Sequence, residues 1–376
     1  MHPAAALRAA LAACFVSTFL ISSVVTAQWS AEPEVIVSGL DQPIGLTVDG
    51  NDRLWVSELG ARPQPGGPPF SFNGRLSYID LDSETPVMNL FLDGLANALN
   101  GEGELAGAHH LLSAGRRLWL VSGGPPSFIV PTMGSVHEMK IKKRTLRSAP
   151  HGTTDGTIRQ SIDVAGFAFE QGFPDSNAYS VAIGPRRDLF IADSGANAIF
   201  RYNRRTQEMS VFATLPEIEN TPGPYPPFSD AVPTKIIAAD DFEFEQDDES
   251  HHHSKNKEPA FYVGQLTGYP FTQGASRVWA LYRDGSMKPV VEGMTTVVDI
   301  AIDPEEDALV VVSIGEWRND LGFFQPGTGS IVSIDEDGDV STVIDQLFAP
   351  TAVAFDEDGN LYTSSVATGN ILKLER

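Results

Sequence analysis

Residues 54–58 read LWVSE, 118–122 LWLVS, 189–193 LFIAD, 261–265 FYVGQ, 309–313 LVVVS and 361–365 LYTSS. Each is a short run of large apolar residues that stops on a polar residue at the same offset. Runs of this length, rich in aromatic and β-branched side chains, suit strands buried on both faces. Their recurrence marks a radial array, because a unit of this size buries its faces only against its neighbours. The fold expected is all-β, a six-bladed β-propeller.

The flanking sequence repeats in step. Ahead of each run stands a short first strand, at 43–46 (PIGL), 107–110 (GAHH), 178–181 (AYSV), 233–236 (PTKI), 298–300 (VDI) and 350–353 (PTAV). Turns rich in Gly, Asp and Arg separate the two, as at 49–52 (DGND) and 356–359 (DEDG), and accept tight hairpin geometry. Third strands follow, as at 276–281 (SRVWAL) and 329–334 (GSIVSI), several alternating apolar with polar. Fourth strands close most units, as at 343–347 (VIDQL). The last unit ends at Arg376 without one, and 35–40 (VIVSGL) reads like the missing strand. The N-terminal strand is therefore expected to join the last blade, closing the ring and removing an open sheet edge.

Two stretches depart from the pattern. The polar, weakly patterned 141–173 is expected as a long excursion between the second and third units. The acidic insertion 240–259, which includes DDESHHHSKNKEP, has a composition that predicts mobility. Its His251, His252 and His253 are neighbours on a solvated loop and fix no coordination sphere.

The chain has 376 residues, 42% of them hydrophobic, with 34 Gly and 26 Pro, a balance that suits many short strands and turns. Residues 1–27 read as a signal peptide: Arg8, an apolar run from Ala9 to Val25, then Val25-Thr26-Ala27 as a cleavage signature; a retained membrane anchor is the competing reading, against which the run is short and broken by Ser17, Thr18, Ser22 and Ser23. Residues 28–376 then form a single propeller domain, secreted or periplasmic. No later segment reaches the length of a membrane span. The one cysteine, Cys14, lies in the leader, where residues 11–14 (LAAC) resemble a lipoprotein box, but the apolar run continues past it. Cleavage at Ala27 leaves no thiol for disulfide or nucleophilic chemistry. Net charge is −23, and −24 once Arg8 is removed; such a surface repels phosphate backbones and anionic lipid.

In a four-stranded blade the connection from second to third strand shares a face with the connection into the next blade. The polar stops Glu58, Ser122, Asp193, Gln265, Ser313 and Ser365 are thus expected around one mouth of the channel. Residues near the first-strand starts join them: His109 or His110, Asn177, Tyr179, Thr234, Asp299 and Thr351. The expected ligand-facing set is Glu58, His109, Tyr179, Asp193, Asn197, Thr234, Gln265 and Thr267. Carboxylates, amides and imidazoles converging on a mouth suit a polar ligand or a hard cation. Solvated strand ends account for the same residues more simply. Because neighbours on a strand face opposite sides, one of His109 and His110 should enter the channel and the other the packing. No G-x-S-x-G elbow, phosphate-binding loop or His-Glu-x-x-His occurs, and 240–249 lacks EF-hand spacing. No catalytic residue is assigned.

Residues 263–271 (VGQLTGYPF) with 274–278 (GASRV) resemble the ScyD/ScyE family of exported β-propellers, named for a link to scytonemin pigment biosynthesis. Residues 38–40 with 43–46, 177–180, 192–197, 232–234 and 350–351 fit the same pattern, so the resemblance spans about 34–376. It departs at 240–259, at 62–73 and at 141–158. The resemblance implies an exported six-bladed ring and no particular reaction. The absence of a recognisable catalytic set favours a secreted binding or scaffold protein whose polar mouth meets a small molecule, a glycan or an extracellular protein. The alternative is a metal-dependent, lactonase-like hydrolase. Six-bladed NHL/lactonase-like propellers of that kind hold a divalent ion such as calcium on the axis. By analogy of architecture its ligands would be Glu58, Asn177, Asp193 and Asp299. N-terminal sequencing of exported protein should begin at Gln28; a mature chain that keeps Cys14 would overturn the leader assignment.

Overall fold

The computed structural model describes residues 29–30, 32–83, 86–100, 103–141, 156–220, 223–239 and 258–376. Its main sheets are six, each antiparallel with four or five strands. The inner strands, one per sheet, are Pro43–Asp49, Ala108–Ala114, Ala178–Ile183, Pro233–Ala238, Val297–Asp303 and Pro350–Phe355. Each lies beside the next, and the sixth lies beside the first, so the ring closes as a six-bladed propeller.

The second strands, Arg53–Glu58, Arg117–Ser122, Leu189–Asp193, Pro259–Gln265, Ala308–Ser313 and Leu361–Ser365, all end on the recurring polar residue. That residue always pairs with the first residue of the inner strand: Glu58 with Pro43, Ser122 with Ala108, Asp193 with Ala178, Gln265 with Pro233, Ser313 with Val297 and Ser365 with Pro350. Immediately past each pair the register shifts. All six inner strands thus carry a bulge at one level near the upper mouth, the face where second strands end.

A bulge frees backbone groups from the ladder, and buried groups so freed must find other partners. Here the adjacent blade supplies them. Ser57 Oγ donates to His109 O. His109 Nδ1 donates to Ala178 O at 2.9 Å, Ser180 Oγ to Thr234 O at 2.7 Å, and Thr234 Oγ1 to Val297 O at 3.2 Å. Asp299 Oδ2 accepts from Val353 N at 2.9 Å, and Thr351 Oγ1 donates to Pro43 O at 3.0 Å. At least one side chain-to-backbone bond therefore crosses each of the six junctions. Gly45 is needed in this hoop: a Cβ there would stand 2.6 Å from His109 O and 2.8 Å from His110 Cα.

The apolar core lies between blades. Trp55, Leu76, Tyr78, Phe91 and Leu95 of the first blade meet Leu111, Leu118, Leu120 and Met139 of the second. Phe190 and Ile199 of the third meet Ile236, Phe261 and Trp279 of the fourth. Equivalent clusters fill the other four junctions. On the lower face, an aspartate at or just past the end of some inner strands ties the turn to the core. Asp49 Oδ2 accepts from Trp55 Nε1 at 2.8 Å and pairs with Arg53; Asp356 Oδ2 accepts from the Tyr362 hydroxyl at 2.8 Å.

The last blade is completed from the other end of the chain. Glu34–Val37 pairs antiparallel with Asn370–Leu374, outside Leu361–Ser365 and Pro350–Phe355. Buried Trp29 extends the join, with Arg376 over its ring and Ser30 N donating to Glu375 O.

The excursion expected at 141–173 is corrected in its second half. Ile158–Asp163 is the outer strand of the second blade, followed by a helix, Val164–Glu170, capped by Asp163 accepting from Gly166 N at 2.9 Å. An outer strand half in water and a helix of two turns are both too weakly patterned to read from periodicity. Residues 142–155 and 240–257, the latter nearly all of the acidic insertion, lie outside the described residues. Pro259 opens the second strand of the fourth blade.

Deleting residues 1–40 should strip the clasp strand, re-expose the edge of Asn370–Leu374 and cost on the order of 3 kcal/mol or more, since Trp29, Ile36 and Val37 lose their packing. Urea unfolding and light scattering check this. An unchanged midpoint would show that the join contributes nothing to the ring.

Candidate functional site

The bulges have a consequence for the channel. By turning the chain at one level, they bring side chains from consecutive positions to a single neighbour. His109 and His110 both lie against Tyr179, with ring centroids 4.7 and 5.0 Å from it. They do so from different sides: His109 Nδ1 crosses the blade junction to Ala178 O, while His110 Nδ1 faces Lys235.

The group extends across the axis. Lys235 Nζ, from the fourth blade, stands 3.0 Å from Asp299 Oδ1 of the fifth and 3.3 Å from His110 Nδ1 of the second. Asp299 is saturated: Oδ1 also takes Ile300 N at 2.9 Å and Oδ2 takes Val353 N. His110 and Asp299 are sealed, at 1% and 0% exposure, while Lys235 keeps 9%. A lysine this deep is tolerated because its charge is paired.

Burial sets the protonation. It pushes the His109 imidazole down to about 4, against the pull of the Ala178 carbonyl, and His110 well below its ordinary value, helped by Lys235 and His109. It pushes the Tyr179 phenol up, assisted by the charges of Asp299 and Glu104. Burial also pushes the Asp299 carboxyl up, opposed by Lys235 and the two backbone N–H groups. Both histidines are thus neutral, and hydrogen-bond partners fix their tautomers. His109 Nδ1 faces a carbonyl and carries the proton. His110 Nδ1 faces an ammonium, which only donates, so its proton sits on Nε2.

Of the residues expected to face a ligand, His109 and Tyr179 belong to this axial group and Thr234 to the hoop beside it. Asn177 comes close, as a Cβ on Gly123 would stand 2.1 Å from its Oδ1 and 2.4 Å from His109 Cε1. The others engage strands and connections near the mouth instead of the axis. Glu58 Oε2 pairs with Arg75 at 2.8 Å and accepts from Asp41 N. Asp193 is fully buried and takes Ser176 Oγ, Asn177 N and Ala196 N; burial pushes its carboxyl up despite them. Asn197 bonds Asp230 Oδ1 and Val232 N, each at 2.8 Å. Gln265 Oε1 accepts from Trp279 Nε1, and Thr267 Oγ1 is buried with no described partner.

Among the described residues no three or more of His, Cys, Asp and Glu stand close enough to share an ion. Glu58, Asn177, Asp193 and Asp299 are therefore not gathered as the ligand set expected of a metal-dependent hydrolase, and Asp299 faces a lysine instead. These residues do not fit a divalent cation on the axis.

Around the mouth, the upper face is aromatic. Phe70 and Phe72 rise beyond the pair Glu58–Arg75, and Phe128 stands in the next connection between second and third strands. Phe169, Phe228, Tyr269, Phe323 and Phe348 also sit in connections on this side. These eight are all the exposed large aromatic side chains of the described residues. Half-buried rings stack beside them: Tyr225 with Tyr269 at 5.8 Å, and Phe271 with Trp317 at 4.9 Å and with Phe324 at 5.4 Å. The lower face carries acidic turns instead, as at 303–307, 335–339 and 356–358.

Known structures match this architecture. No family model matches the chain, and no curated protein matches it. A structural-genomics protein of unknown function from Bacteroides thetaiotaomicron superposes with a TM-score of 0.55 at 14% identity, over 92% of this chain and 72% of that one. The PQQ-bound aldose sugar dehydrogenase of Streptomyces coelicolor gives 0.54 at 13% identity, over 93% and 98%. Virginiamycin B lyase of Staphylococcus aureus gives 0.48 at 14%, over 93% and 100%. At such identities the likeness establishes the propeller fold alone.

Lys235 and His110 were outside the expected ligand-facing set. The only sequence signal for Lys235 is a lysine at the third position of an inner strand, where Asp299 occupies the equivalent place in the next inner strand. The protonation states predict a slope. Between pH 6.5 and about 4 the unfolded chain protonates His109 and the folded chain does not, so stability falls on acidification through this window. The contribution is up to about 1.4 kcal/mol per pH unit. His110 and His137 act in the same sense, while the raised Asp193 and Asp299 oppose it. Urea unfolding at stepped pH should show a shallower slope for His109→Gln, whose amide keeps a donor for Ala178 O. Identical slopes would refute the buried neutral state.

Proposed function

We propose that the chain is an exported binding propeller, of the kind the ScyD/ScyE resemblance implies, and that its upper face takes a glycan. One observation supports this most: the exposed aromatic rings of the described residues stand on a single face. A surface aromatic exposes apolar area at a cost, and a one-sided set of them marks a contact surface. The rings are interleaved with carboxylates and amides such as Asp230, Asn197, Glu316 and Asn319. That mixture matches a sugar, which offers a flat C–H face to a ring and hydroxyls to polar groups. Among the described residues the acidic lower face carries no exposed aromatic side chain. The metal-dependent hydrolase reading receives no support from the placement of its four ligands.

Screening neutral oligosaccharides by tryptophan fluorescence should give hits that perturb Trp317. Tyr269→Ala and Trp317→Ala should each weaken them on the order of tenfold, the scale of one lost anchoring ring. Hits that survive both substitutions, or a face that binds protein and no saccharide, would remove the glycan assignment.

A further inference from the structure

The axial group holds more donors than its own acceptors can use. Lys235 brings three N–H bonds and directs two of them, to Asp299 Oδ1 and His110 Nδ1. Asp299, the one carboxylate in contact, already takes Lys235 and two backbone N–H groups. His110 Nε2, which bears the proton, is buried and has no hydrogen-bond partner among the described residues. Tyr179, packed on the same imidazole, adds a phenol hydroxyl. Leaving a buried donor unpaired costs about 1–3 kcal/mol. The surrounding hoop spends its side chains on other bonds, so nothing local can turn to relieve it.

Charge decides what would. Lys235 and Asp299 cancel, and Glu104 acts on Tyr179 from the mouth side. An anion entering here would meet no net positive charge, within a chain of net charge −23. A neutral oxygen with free lone pairs satisfies the donors without that penalty. We infer that His110 Nε2–H and the Tyr179 hydroxyl form a ligand subsite on the propeller axis for a neutral oxygen acceptor, a carbonyl or hydroxyl of an uncharged ligand. Lys235 and Asp299 are positioning residues: the lysine holds the His110 tautomer and the carboxylate holds the lysine. The inference deepens the binding reading of the upper face, since that mouth is the approach to the axis.

The test uses the full chain labelled with ¹⁵N-histidine, and acetamide as the carbonyl probe. Acetamide should move the His110 Nε2–H resonance downfield and slow its exchange with water, with acetate at equal ionic strength doing neither. Tyr179→Phe, which keeps the packing, should weaken the acetamide response on the order of tenfold. Lys235→Met should move the His110 proton between ring nitrogens, a change in nitrogen shifts that a merely space-filling lysine would not produce. The proposal is overturned by a Nε2 proton indifferent to acetamide, which would mean water alone occupies the donor. It is equally overturned by acetate acting as strongly, or by an unaltered response in Tyr179→Phe. Acetamide needs no aromatic ring on the upper face, so failure of oligosaccharide binding leaves this outcome independent.

Discussion

The ring is held by what happens where each inner strand breaks register. A propeller blade twists as it leaves the axis, and six of them can meet at the centre only if their inner strands approach closely there. The bulges make room for that approach at the cost of stranded backbone groups. Ser57, His109, Ser180, Thr234, Asp299 and Thr351 then return those groups to hydrogen bonds, each across a junction. The residue types differ, yet the role is one. This explains why polar side chains are buried at 0–3% exposure in the middle of the molecule without destabilising it.

The same geometry prepares the channel for chemistry. A regular strand would present alternate residues to the axis, too few to build a cross-linked group. Broken register lets His109, His110, Tyr179, Lys235 and Asp299 crowd into one layer, and cancellation of the single pair of charges keeps that layer affordable. Aromatic rings above it and acidic turns below then give the two faces opposite chemical character.

Much of the fold was legible because it is repeated. Six copies of a strand ending at one offset are a signal that a single copy could not give, and the fourth strand missing from the C-terminus pointed directly to 35–40. Features present once were harder to see. Ile158–Asp163 has one buried apolar residue, Ile162, and so carries no period. The candidate site was legible only as a zone. The level of the mouth followed from topology, but whether Glu58 or Lys235 reaches the axis depends on bulges, and a bulge leaves no mark in hydrophobic patterning. The polar stops recur as strongly as any feature of the chain, and Glu58 and Asp193 bond the connections of their own blades.

The outer strand of the last blade begins the described chain, and its contacts reach as far as Ser30 with Glu375, 345 positions apart. Synthesis delivers these partners in the order that suits them least. Glu34–Val37 stays unmatched until Asn370–Leu374 has been made. Premature collapse of the intervening blades would leave a circle with a gap. Closure of the ring therefore awaits Asn370–Leu374, and losing that strand would leave Glu34–Val37 without its partner.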